Sequence, residues 1–119
     1  MTQVSFVVLT DHEEHTISRR LWELRHQRLD QDVVRSVEIV VVDAQSTDRT
    51  LLLAVPFADA LAVAVPDRAA QEDLGRRIAS GDVVVVVDAH TEITPWLAEQ
   101  AALAATVEAA AADRTLVLA

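Results

Sequence analysis

Three short runs of aliphatic, mostly β-branched residues constrain the fold of this chain most strongly. They cover residues 4–9, 37–42 and 83–87, and the last is five consecutive valines. Runs this short and nearly continuously apolar, interrupted only by Ser5 and Glu38, are typical of strands buried on both faces, as in parallel sheets. Weaker runs at residues 61–65 and 115–118 predict a further strand and a strand at the sheet edge.

The segments between these runs carry helix signals. Apolar residues stand at helical spacing in the first segment, at Ile17, Leu21 and Leu24. Residues 10–13 predict a capping box ahead of that helix, and residues 46–48 can cap a short second helix. Asp67 predicts the cap of a third helix. Thr94, followed by proline, opens an Ala-rich helix that is expected to reach about Ala112.

Strands and helices therefore alternate along the whole chain. Alternation of this kind predicts an α/β fold with three layers, in which helices cover both faces of a mainly parallel, Rossmann-like sheet with right-handed crossovers. No repeat or linker interrupts the pattern, so residues 1–119 are expected to form one domain.

Charge and hydropathy exclude some classes of partner. The net charge of −9 argues against nucleic acid, since a phosphate backbone requires a basic surface. Residues 1–10 read as a strand and lack the basic start of a signal peptide. The longest apolar run, residues 83–87, is far too short to span a membrane. We expect a cytoplasmic protein without a membrane span.

Acidic residues begin the loops in which a ligand is expected to bind. In parallel sheets, ligands bind beyond the carboxyl ends of the strands, beside the point where strand order reverses. The loops at residues 10–14, 43–48 and 88–94 lie there, and each is acidic near its start. Carboxylates gathered on one edge repel each other, and a divalent cation would relieve that repulsion.

Motifs at two strand ends resemble those of a known family. Residues 42–48 read Val-Asp-Ala-Gln-Ser-Thr-Asp, where the family has Val-Asp-Asp-Gly-Ser-Thr-Asp. Residues 88–97 read Asp-Ala-His-Thr-Glu-Ile-Thr-Pro-Trp-Leu, where the family has an Asp-Ala-Asp motif followed by Pro and a Trp-Leu pair. This pattern resembles the family 2 glycosyltransferases, which have the GT-A fold and transfer sugars from nucleotide-sugar donors.

Other segments extend the resemblance over residues 4 to about 100. Residues 8–14 occupy the place of the family's Pro-Thr-aromatic-Asn-Glu turn, while residues 73–75 and 80–82 match its Asn-x-Gly and Gly-Asp motifs. The resemblance implies the nucleotide-binding half of the fold. It also implies parallel strands in the order third, second, first, fourth, with Asp43 and Asp88 on one edge.

The resemblance also implies site residues and a metal. It assigns nucleotide-sugar binding to Thr10, Glu13, Asp43 and Asp88, and Mn²⁺ or Mg²⁺ binding to Asp88 and His90. In an extended chain these last two residues point to the same side, and an Asp/His pair can ligate Mn²⁺. Each assignment has a structural alternative: a turn cap for Asp43, a solvated strand end for Asp88, a surface position for His90 and a helix N-terminal charge for Glu13.

Several positions depart from the family pattern. Ala44 replaces the second Asp of the second-strand motif, and Glu72 replaces an Arg. Asp11, an acid, stands in the place of the family's aromatic, and His90 replaces the last Asp of the metal motif. The family's acceptor half and catalytic base are not in this chain, so no catalytic residue is assigned. We expect weak or incomplete binding of a nucleotide-diphosphate sugar; the alternative is an inactive relative that serves as a binding or assembly module.

Two further expectations concern association and a competing fold. The sheet edge beyond the fourth strand is covered only by residues 115–118, and an open apolar edge invites pairing. We therefore expect a homodimer or a partner chain. A phosphoacceptor receiver domain would also place acids after the first strand, but it needs a lysine on its last strand, and the chain has none.

Overall fold

In the part of the chain that the structure describes, five parallel strands form one sheet, and numbered along the chain they lie in the order 3-2-1-4-5. The computed structural model describes residues 2–107 and 115–117. The strands are β1 (Thr2–Thr10), β2 (Val34–Asp43), β3 (Ala60–Val63), β4 (Val83–Val87) and β5 (Thr115–Val117). The helices are α1 (Ile17–Arg25), α2 (Thr50–Ala54), α3 (Arg68–Ile78) and α4 (Leu97–Val107). This arrangement confirms the predicted α/β class, the parallel sheet and the order 3-2-1-4 with an added edge strand.

Both faces of the sheet are covered, which gives three layers. Residues of α1, α2 and α4 share one apolar cluster with Val4, Phe6 and Val8 of β1. The residues that alternate with them, Val7 and Leu9, belong to a second cluster on the α3 side. Burial on both faces explains why the sequences of β1, β2 and β4 are nearly continuously apolar rather than alternating.

Helix α3 lies unusually close to the sheet at Gly75. A β-carbon at this position would lie 3.2 Å from Val42 Cγ2 and 3.3 Å from Val7 Cβ, and closer still to Val7 Cγ1. The missing side chain therefore allows the helix to rest directly on β1 and β2. This contact fixes where the first turn of α3 stands relative to the carboxyl edge.

Helix starts agree only in part with the sequence predictions. Asp67 caps α3 as predicted, accepting a hydrogen bond from the Ala70 amide at 3.1 Å. The capping box predicted at residues 10–13 was wrong, because β1 extends through Thr10 and α1 begins at Ile17 without a side-chain cap. For α4, residues 108–112 of the predicted range lie outside the described residues.

The two edges of the sheet differ in cover. Strand β5 pairs with β4 from Val84 to Val86, which confirms the edge strand predicted beyond the fourth strand. At the opposite edge, β3 and the residues after it expose apolar side chains, those of Leu61, Val63 and Val65. No helix within the described part of the chain has the length and apolar character needed to cross a membrane.

Candidate nucleotide-binding edge

The carboxyl ends of β1, β2 and β4 lie side by side and carry the predicted acids. The register pairs Thr10, the last residue of β1, with Asp43, the last residue of β2. On the other side of β1, Val8 pairs with Val87, which directly precedes Asp88. Asp43 and Asp88 are therefore on one edge, as predicted, with β1 between them.

A cleft of about 220 Å³ opens at this edge between the ends of β1 and β4. Its lining consists of Leu9, Thr10, Asp11, Glu13, Arg68, Gln71, Asp88, Ala89 and His90. Four of the five predicted site residues are thus brought together, while Asp43 does not line the cleft. Pockets that enclose a drug-sized ligand usually measure about 300–1,000 Å³. This cleft could therefore surround only part of a nucleotide sugar.

Asp43 is fully buried beneath the edge, and its carboxylate organises the loop that follows β2. Oδ1 accepts hydrogen bonds from the Thr10 hydroxyl at 2.6 Å and the Ser46 hydroxyl at 2.7 Å. Oδ2 accepts from the Ser46 amide at 2.7 Å. This is the turn-capping arrangement that was the alternative for Asp43. A role of Asp43 in nucleotide binding stays a prediction.

The same loop contains a residue in the left-handed region. Gln45 has φ 60°, a conformation that costs a residue with a β-carbon free energy and that glycine adopts readily. Gln45 stands where the motif Val-Asp-Asp-Gly-Ser-Thr-Asp has its glycine. The turn keeps the backbone shape that the glycine would favour, although the side chain has changed.

His12 ties the loop after β1 to the loop after β2. Its backbone is also left-handed, with φ 53°, and its Nε2 accepts a hydrogen bond from the Thr47 amide at 3.0 Å. Nδ1 lies 2.7 Å from Asp11 Oδ1, and this hydrogen bond raises the pKa of His12. The Thr47 amide opposes that shift, because only an unprotonated Nε2 can accept from it. In the neutral imidazole the proton is therefore on Nδ1, which donates to Asp11.

Two carboxyl groups of the cleft have pKa values displaced in opposite directions. Burial raises the pKa of Glu13, whose Oε2 accepts from the Asp11 amide at 3.0 Å. A hydrogen bond from the Arg68 guanidinium lowers the pKa of Asp88 to about 2. Asp88 is therefore ionised at any physiological pH.

Asp88 is already engaged by donors of the protein itself. Oδ1 accepts from the His90 amide at 2.8 Å and from the Thr91 hydroxyl at 3.2 Å. Oδ2 accepts from Arg68 Nη1 in an ion pair. The amide of His90, rather than its imidazole, makes the hydrogen bond to Asp88.

In this arrangement the edge does not fit a divalent ion. Arg68 holds the Asp88 oxygen through which an ion would bind. Across residues 2–107 and 115–117, no three His, Asp or Glu side chains are grouped so that they could hold a metal. The assignment of Mn²⁺ or Mg²⁺ to Asp88 and His90 stays a prediction, and it requires Arg68 to move.

Three residues of the edge escaped the sequence analysis. Arg68 reaches Asp88 from the first turn of α3, and Gln71 Nε2 donates to the Val42 carbonyl at 3.0 Å and the Thr10 carbonyl at 3.3 Å. Arg20 of α1 donates to the Asp88 carbonyl at 2.6 Å. Of these contacts, the sequence could have predicted only the ion pair of Arg68 with Glu72, because these residues stand four positions apart on a helix.

The family model described as "Glycosyl transferase family 2" matches residues 5–116. No curated protein sequence matches the chain significantly.

Two solved structures share the fold. One is TarS 1–349 from S. aureus, 23% identical with a TM-score of 0.67; the alignment covers 90% of this chain and 33% of TarS 1–349. The other is the mannosyltransferase PcManGT from Pyrobaculum calidifontis in complex with GDP-Man and Mn²⁺, 28% identical with a TM-score of 0.61. That alignment covers 90% of this chain and 32% of PcManGT. The chain thus spans about a third of the length of each.

Proposed function

The chain belongs to glycosyl transferase family 2, and on that premise we propose that its carboxyl edge binds the diphosphate and nucleoside of a nucleotide-sugar donor. One observation carries the proposal. The cleft lies between β1 and β4, where the strand order 3-2-1-4 reverses, and open α/β sheets bind ligands at such a point.

The proposed roles follow from position. Thr10 and Glu13 would contact the donor from the β1 side of the cleft, and Asp88 and His90 from the β4 side. Asp43 would act by holding the loop at residues 44–48 in place. A direct contact from Asp43 would require the edge above it to open, because Asp43 is fully buried.

We expect the donor to bind weakly because the cleft carries an excess of negative charge. Three carboxylates (Asp11, Glu13 and Asp88) line the cleft with one guanidinium, Arg68, so the negative charge exceeds the positive. A nucleoside diphosphate needs cationic groups or a divalent ion to neutralise it. PcManGT was solved with both GDP-Man and Mn²⁺, and we propose that donor binding here likewise depends on a divalent cation. Sugar transfer would further require an acceptor-binding part.

Calorimetry with GDP and UDP, with and without Mn²⁺, tests this function. We expect weak binding, near millimolar, that depends on Mn²⁺. Restoring the family motif at two positions, in the double variant Ala44→Asp with His90→Asp, should strengthen it. Ala44→Asp would regain a hydrogen bond worth about 1 kcal/mol, and His90→Asp would restore the carboxylate of the metal motif. If the double variant binds neither nucleotide at millimolar concentration, this edge is not a donor site.

The hydrogen bonds of the two edge carboxylates favour a second candidate. Asp43 accepts hydrogen bonds from Thr10 and Ser46, and Asp88 accepts them from Arg68 and other donors. Neither carboxylate therefore lacks a hydrogen-bond partner within the protein. The alternative is therefore an inactive relative that serves as a binding or assembly module. It predicts no nucleotide binding by calorimetry together with self-association or capture of a partner chain.

A further inference from the structure

The free edge of the sheet at β3 is a continuous apolar segment. Residues 60–65 read Ala-Leu-Ala-Val-Ala-Val, without a charged residue or a proline, although 24% of the chain is charged. Edge strands are commonly protected from pairing by such residues. Eight large apolar side chains are exposed in the described residues, and five of them stand in or shortly before this segment: Leu52, Val55, Leu61, Val63 and Val65. Exposed apolar residues clustered in this way are typical of interaction surfaces.

Two residues of β3 also turn their backbone groups away from the sheet. The Ala64 amide donates to the Asp43 carbonyl of β2 at 2.8 Å. Successive residues of a strand point their amides and carbonyls alternately to its two sides, so Ala62 also faces β2, whereas Leu61 and Val63 face outward. Strand β3 stands last in the strand order of the described sheet. The outward amides and carbonyls are therefore in position to pair with an added strand.

We propose that β3 pairs antiparallel with β3 of a second copy of this chain, about a two-fold axis that passes through Ala62. In that register Leu61 lies opposite Val63 of the second copy, and Val63 lies opposite Leu61 of the second copy. The backbone groups of these residues then form four hydrogen bonds across an interface that uses the same surface of both copies. The inference goes beyond the proposed function and does not depend on nucleotide binding.

The side chains fit this register as well as the backbone does. Leu61 lies opposite Val41 of β2, on the face of the sheet that α1, α2 and α4 cover. A two-fold axis perpendicular to the sheet preserves its faces, so Leu61 and Val63 of both copies form one apolar strip, and alanine meets alanine on the α3 face. Asp59 lies opposite Val65, which avoids an opposed pair of carboxylates. A partner recognised by charge is not favoured, because β3 offers it no charged side chain.

A single cysteine at the axis tests the pairing, because the chain contains no cysteine. The two copies of residue 62 would form a non-hydrogen-bonded pair with Cα atoms about 4.5 Å apart, within the range that a disulfide bridges. With oxidised glutathione as the oxidant, we expect Ala62→Cys to form a disulfide-linked dimer at least about tenfold faster than Leu103→Cys, because pairing raises the effective concentration of the thiols. Leu103 is a matched control, since it is exposed and lies on α4, away from this edge.

Light scattering shows whether this surface holds the dimer. The wild type should be a dimer and Leu61→Arg a monomer, because two arginines would meet beside the axis. Leu103→Arg changes the net charge equally and should stay a dimer. Val63→Pro removes an outward amide at an edge where proline is tolerated, so it should give a monomer that still unfolds cooperatively. Salt should strengthen the wild-type dimer, because it screens the repulsion between two copies with a net charge of −9 each.

Three results would overturn the inference. A wild type that stays monomeric at high concentration would leave the β3 edge to a different chain. Cross-linking of Ala62→Cys no faster than that of Leu103→Cys, or a dimer that survives both Leu61→Arg and Val63→Pro, would place the contact between copies on another surface. Failure of the proposed function looks different, because the dimer would form as expected while GDP and UDP would not bind.

Discussion

Replacing Gly75 by alanine tests how α3 is held against the sheet. The new β-carbon would lie 3.2 Å from Val42 Cγ2 and far inside the contact distance of Val7 Cγ1. Val7 is fully buried and β-branched, so its side chain has few other rotamers to adopt. The helix would have to lift away from β1, and overpacking of this kind costs about 1–3 kcal/mol.

Helix propensity acts in the opposite direction. Alanine inside a helix is about 1 kcal/mol more favourable than glycine. With a clash at the severe end of its range, the net result should be a loss of about 1–2 kcal/mol in the free energy of unfolding. Urea unfolding followed by circular dichroism measures this as a lower midpoint with an unchanged slope.

A second substitution identifies the cause. Val7→Ala removes Cγ1, the atom that is struck, so Val7→Ala with Gly75→Ala should cost less than the sum of the single changes by about 1 kcal/mol or more. The reasoning is refuted if Gly75→Ala is neutral or stabilising, because propensity would then have outweighed the close approach. If the two losses in the free energy of unfolding simply add, the destabilisation by Gly75→Ala does not arise at the contact with Val7.

Four other outcomes are expected. Thr10→Val leaves the buried Asp43 carboxylate with one donor fewer and should cost about 1.5–3 kcal/mol, whereas Thr10→Ser should cost much less; equal losses in urea unfolding would exclude the hydrogen bond as the cause. Gln45→Gly should raise the free energy of unfolding by about 0.5–1 kcal/mol, because glycine relieves the left-handed strain at some entropic cost. A lower free energy of unfolding would contradict the presence of strain at this position. The pKa of His12, measured by NMR titration, should lie above the free value of about 6.5 and should drop in Asp11→Asn; a pKa below 6.5 would contradict this. The stabilisation by the His12–Asp11 pair should be complete below the pKa of His12 in the unfolded chain and should be lost as pH rises through its pKa in the folded protein. Light scattering should show a homodimer or a larger assembly, given the exposed apolar edge at β3, and a monomer at high concentration would count against it.

Local chemistry explains which predictions from sequence succeeded. The valine runs predict buried parallel strands because only sheets covered on both faces tolerate such runs. Asp67 predicts its helix start because the capping contact spans only three residues, to Ala70. The capping box at residues 10–13 failed for a non-local reason: the Glu13 amide donates to Thr50 Oγ1, 37 residues away, and β1 continues through Thr10.

The amino-acid sequence is enough to predict that β1, β2 and β4 are buried on both faces and that the loops after them begin with acids. Through the family motifs it also predicts that Asp43 and Asp88 share one edge. What those acids contact depends on the three-dimensional fold. Besides donors close in sequence, Asp88 binds Arg68, 20 positions earlier, and Asp43 binds Thr10, 33 positions earlier. Neither distance follows from local periodicity. The first pair depends on where the first turn of α3 stands, which the contact at Gly75 sets, and the second on the register of β1 against β2.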